Sequence, residues 1–95
     1  MDLQDYRKQI DAIDTQLVDL FARRMEVAAG IAMYKLAQGL PVLDASREHA
    51  KLQQVAAMAP QGMEDYTAQL YTKLFELSRN YQEALLRQQP GEVEK

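Results

Sequence analysis

Cysteine and tryptophan are absent from this 95-residue chain, and histidine occurs once, as His49. Without thiols there can be no disulfide and no thiolate metal site, and one histidine cannot form an imidazole cluster. The four glycines do not gather into a phosphate-cradling loop. No apolar run approaches the length needed to cross a bilayer. The opening Met1-Asp2-Leu3-Gln4-Asp5 has neither the apolar stretch nor the cleavage pattern of a secretory leader. The expectation is a soluble, cytoplasmic protein with no metal and no membrane partner. No segment alternates with period two over strand length, so no sheet is expected. Basic residues are outnumbered, 11 Lys and Arg against 14 Asp and Glu. A net charge of −3 argues against a nucleic-acid partner, which calls for a basic face. It leaves room for a small anion wherever the cations converge.

What is present is helical periodicity. Leu3, Tyr6, Ile10, Ile13, Leu17, Leu20, Val27, Ile31 and Tyr34 alternate spacings of three and four, and Arg24 completes the rhythm. This is a coiled-coil-like seam with one cation in it. The pattern predicts a helix from about Asp2 to Gln38, stopped by Gly39 with Pro41 just beyond. At 1.5 Å per residue it would run about 50 Å, whereas a compact domain of this size has a radius of gyration near 13 Å. The helix outruns its own domain, and a second copy is the simplest cover for the overhanging seam. A short chain without disulfides or metal also needs such help to be stable. A second helix, capped by Asp44 or Ser46, should reach about Ala59, where Pro60-Gln61-Gly62 breaks it. A third should start near Glu64 or Asp65 and end near Gln88. Its main apolar stripe is Tyr66, Leu70, Leu74, Leu77, Tyr81 and Leu85. A parallel stripe runs through Tyr71, Phe75, Ser78, Gln82 and Leu85. The expected fold is all-α, with one long, one short and one medium helix in an intertwined homodimer. Residues 1–95 form one domain, ordered over about 3–88 with a polar, frayed tail at 89–95.

Some residues break these patterns. Arg24 on a covered seam requires either a register-setting counter-charge or an anionic ligand. Lys35 follows eleven residues later and returns to nearly the same face, since eleven steps of 100° leave about 20°. Arg7 lies about 100° around from Arg24, so it cannot easily serve the same pocket in its own chain but could serve a partner's. Asp44 and Glu48 share a face at the start of the second helix, where acids commonly cap and complement the dipole. Ser78 and Gln82, also four apart, sit inside an apolar stripe and need either interhelical hydrogen bonds or a ligand. No nucleophile–base pair accompanies them. The set suits a small dianion and chemistry by positioning and charge stabilisation.

Five segments, in register, resemble the all-α chorismate mutases. They are Tyr6-Arg7-Lys8-Gln9-Ile10-Asp11-Ala12-Ile13-Asp14, Phe21-Ala22-Arg23-Arg24-Met25, Tyr34-Lys35, Pro41-Val42-Leu43-Asp44-Ala45-Ser46-Arg47-Glu48 and Ser78-Arg79-Asn80-Tyr81-Gln82. The resemblance covers about residues 3–87. It implies a cofactor-free rearrangement of chorismate to prephenate, in aromatic amino-acid biosynthesis, by a dimer with two sites. It further implies that Arg24 and the other subunit's Arg7 hold the substrate's carboxylates, with Ser78 and Arg47 assisting. Lys35 and Gln82 would donate to the ether oxygen, and Glu48, with the backbone near Asp44, would hold the ring hydroxyl. Lys35, Gln82, Arg24 and Glu48 would then be the catalytic set. The alternatives are an isochorismate pyruvate-lyase, against which Glu48 and Ser78 count, a non-catalytic regulatory helical module, and the mutase part of a fusion.

Overall fold

The computed structural model describes residues 1–88; the expected polar tail at 89–95 lies outside the described residues. The chain folds as three helices, α1 (Leu3–Gln38), α2 (Ala45–Met58) and α3 (Glu64–Arg87). Their ends follow from local chemistry. Asp2 caps α1 by accepting from the Asp5 amide at 3.0 Å, and the Asp5 carboxylate accepts from the Asp2 amide at 3.2 Å. This reciprocal box satisfies two donors that the first helical turn cannot. At the other end Gly39 takes the left-handed conformation (φ 71°). That turn lets Leu40 N–H reach the Lys35 carbonyl at 2.8 Å and Gly39 N–H reach Leu36 at 3.2 Å, a Schellman ending. Asp44, rather than Ser46, caps α2, accepting from Arg47 N–H at 3.0 Å. Between α2 and α3, Gly62 adopts φ +92°, and its N–H donates to Glu64 Oε1 at 2.8 Å.

α3 packs against both α1 and α2, which do not pack on each other. The molecule measures 62 × 27 × 14 Å with a radius of gyration of 17.2 Å. It is a thin, elongated layer, well beyond the ~13 Å of a compact domain of this length. The contact of α1 with α3 uses Ala28 and Ala32, both buried. Val55 of α2 and Phe75 of α3 complete the buried apolar set among the described residues, and no large side chain is fully enclosed.

One expectation about faces is corrected. On α3 the stripe turned inward is Phe75, Ser78 and Gln82, with Tyr71 half-buried, while Tyr66, Leu70 and Tyr81 of the supposed main stripe are exposed. Sitting between two helices, α3 presents to them the stripe that carries its polar pair. On α1 the first half of the heptad-like seam is bare, as expected of a helix that outruns its domain, while the seam's Arg24 lies against rings of α3. Ala28 and Ala32 lie next to the seam, and Leu3, Tyr6, Ile10, Ile13, Leu17 and Leu20 are each 54–61% exposed.

Candidate functional site

The C-terminal half of α1, the loop after it, the length of α2 and the middle of α3 line a cavity of about 700 Å³. Of the eight residues expected to bind substrate, Arg24, Lys35, Asp44, Arg47, Glu48, Ser78 and Gln82 line it, and Arg7 does not. Arg7 stands on an exposed stretch of α1, about 26 Å along the axis from Arg24 at 1.5 Å per residue. The cavity wall also carries Lys51 and Arg79. Five cationic side chains therefore face two carboxylates, Asp44 and Glu48, in a chain whose net charge is −3. Low-dielectric walls focus such a local excess onto an anion.

Arg24 and Lys35 are placed by distinct contacts. The half-buried Arg24 guanidinium lies 5.7 Å from the Tyr71 ring centre and 5.8 Å from that of Phe75, and these two rings meet edge to face at 6.1 Å. Among the described residues Arg24 has no ion pair, so the counter-charge alternative is not realised within the chain. Ring faces hold the cation without neutralising it, leaving its donors for a carboxylate. Lys35 Nζ donates to the Val42 carbonyl at 2.9 Å. That bond ties the loop after α1 to the cavity, and an ammonium has two further protons to give. By contrast, Arg23 pairs with Asp19 at 3.7 Å on the open surface, and His49 is exposed.

On α3, Ser78 and Gln82 are both buried. Gln82 Nε2 donates to Ser78 Oγ at 3.0 Å. The serine oxygen is thus engaged as an acceptor and its O–H remains available to donate, as does the second amide proton of Gln82. The bond lies within one helix, so it does not tie α3 to its neighbours. Among the described residues Gln82 Oε1 has no hydrogen-bond partner, and a buried orphan of this kind calls for a specific explanation, such as a functional role. Glu48 is held by Arg79 across the α2–α3 seam. Asp44 keeps its capping role while facing the cavity.

Two lining cations were not singled out from the sequence. Arg79 follows Ser78 directly and so falls off the apolar stripe. Its spacing of three from Gln82 was the available cue. Lys51, three residues after Glu48, reads as a surface lysine and hydrogen-bonds Gln54 at 2.8 Å. No grouping of three or more potential metal-ligating side chains occurs among the described residues. No helix among them is long and apolar enough to cross a membrane.

A family model described as chorismate mutase type II matches residues 6–83, a span that includes every residue lining the cavity. The chain belongs to this chorismate mutase family. The chorismate mutase of Helicobacter pylori, solved in complex with prephenate, is similar in structure with a TM-score of 0.84 and 32% sequence identity. The match covers 92% of this chain and 96% of that one. The T-protein of Haemophilus influenzae is 41% identical over 51 residues, which are 54% of this chain. They make up 14% of that protein, so this chorismate mutase domain matches only a small part of its curated relative.

Proposed function

We propose that the chain rearranges chorismate to prephenate, as a homodimer with two equivalent sites. The observation that carries this is the excess of cations around a buried hydroxyl–amide pair, in a chain of the chorismate mutase family. Chorismate bears two carboxylates, and its reactive conformer folds the enolpyruvyl arm over the ring. Clamping both carboxylates selects that conformer and lowers the entropic part of the barrier. Arg24 grips one, and Arg7 of the partner subunit grips the other, with Ser78 and Arg47 assisting. In the concerted [3,3] shift the ether C–O bond breaks as the new C–C bond forms, and no proton moves. Negative charge grows on the ether oxygen, where Lys35 and Gln82 stabilise it more than in the ground state. Glu48 accepts from the ring hydroxyl, with the backbone near Asp44 beside it.

The dimer is supported by the bare α1 seam. Six apolar side chains in the first half of α1 are more than half exposed among the described residues, and exposed apolar area of that extent marks an interaction face. A second α1 laid along it would bury the seam and bring Arg7 to the neighbouring cavity.

Incubating the purified protein with chorismate and, separately, with isochorismate, then identifying the products by chromatography, tests the activity. Prephenate from chorismate is expected. Pyruvate release from isochorismate alone would make the protein a lyase, and no product from either would make it a non-catalytic module.

A further inference from the structure

Glu48 on α2 and Arg79 on α3, 31 residues apart, are joined side chain to side chain at the edge of the cavity. Their side chains are 24% and 30% exposed respectively, so the pair is partly withdrawn from water, where it is screened less than a surface pair. It engages Nη1 of Arg79 and Oε2 of Glu48. Glu48 Oε1 accepts no side-chain hydrogen bond among the described residues. A carboxylate offers about four lone-pair sites, so one oxygen can be anchored while the other serves a ligand.

Glu48 has a rival for its charge. Lys51 lies three residues on along α2, at a spacing where opposite charges attract on a helix surface. It would draw the carboxylate along α2. Arg79 approaches instead from the facing helix, and its planar fork is a more directional partner than an ammonium. Lys51 is engaged with Gln54 Oε1.

We infer that Arg79 is a positioning residue, which fixes the Glu48 carboxylate across the α2–α3 seam so that its second oxygen meets the ring hydroxyl of the substrate. The inference rests on the function proposed above and adds a residue to it. Arg79 acts through Glu48 and has no contact of its own with the reacting atoms.

The test is a cycle between the protein and the substrate. kcat/KM is measured for wild type, Arg79→Met and Arg79→Lys, with chorismate and with an analogue whose ring hydroxyl is replaced by hydrogen. Circular dichroism and thermal melts accompany each protein. Wild type should lose roughly 10- to 100-fold on the analogue, as expected for a hydrogen bond to a charged group. Arg79→Met should lose a similar factor on chorismate and little more on the analogue, because the hydroxyl is then no longer recognised. Arg79→Lys should lose less on chorismate and show the same convergence. It carries the test alone if Arg79→Met does not fold. A merely structural role would lower the melting temperature and reduce both substrates equally. Equal losses in an active protein overturn the assignment of Arg79 while leaving the function intact. A folded wild type inert toward chorismate overturns the function, and the inference with it.

Discussion

Ser78 and Gln82 stand one turn apart on α3, and their side chains are joined by a 3.0 Å hydrogen bond inside the cavity. The bond orients the Gln82 amide, and an amide donates at any physiological pH. A glutamate in its place could donate only when protonated, and its unperturbed pKa is about 4.3. Burial would raise that value, while Lys35 and Arg24 would lower it. Gln82→Glu should therefore be nearly inactive at neutral pH and recover as pH falls. Losing one such donor typically costs about 10²–10³ in rate. Gln82→Ala should be poor throughout, and wild type nearly flat across the neutral range. pH profiles of kcat/KM for the three proteins, with folding checked by circular dichroism, decide it. A Gln82→Glu enzyme as good as wild type at neutral pH would mean that Gln82 does not face the ether oxygen.

The uncovered α1 seam predicts that sedimentation finds a species of about twice 10.8 kDa. Its unfolding midpoint should climb with protein concentration, as mass action requires of a dimer. A folded monomer at micromolar concentration would sink this architecture.

Arg7 lies outside the cavity of its own chain, and on the dimer proposal it completes the partner's. Arg7→Ala and Lys35→Ala homodimers should each be inactive. Mixed and allowed to exchange, they form heterodimers in which one site collects both lesions and the other is whole. Up to half the wild-type activity per heterodimer should return. If subunits demonstrably exchange and nothing returns, Arg7 works within its own chain or only supports the fold.

Ala32 is fully buried between α1 and α3, at 0% exposure. Ala32→Leu inserts three heavy atoms where two helices meet. Overpacking of this kind costs about 1–3 kcal/mol, which a fall in the denaturant midpoint would register. The same substitution should distort the cavity, since Ala28 and Lys35 flank Ala32 on one face of α1. A midpoint within error of wild type would show that the contact has slack.

Helix number and helix ends were legible in the sequence because they depend on interactions within a few residues, and most of the polar cavity residues were legible from their faces together with the family resemblance. Asp2, Asp44 and Gly39 act through atoms at most five positions away. Arg24 and Lys35 are aligned by helical pitch alone. Seven of the eight expected substrate-binding residues meet in one cavity because each was already set on a particular face of its own helix. The choice among faces was not local. The more apolar of the two stripes of α3 was not the one that turned inward; packing between α1 and α2 chose the stripe bearing Ser78 and Gln82. The same packing put alanines of α1, rather than its large apolar residues, against α3. It also placed Arg24 over two rings of α3, some fifty positions along the chain, and brought Arg79 to Glu48. Contacts between residues so far apart leave no periodic trace in a single sequence, since they arise from which helices are neighbours and not from the pitch of any one of them.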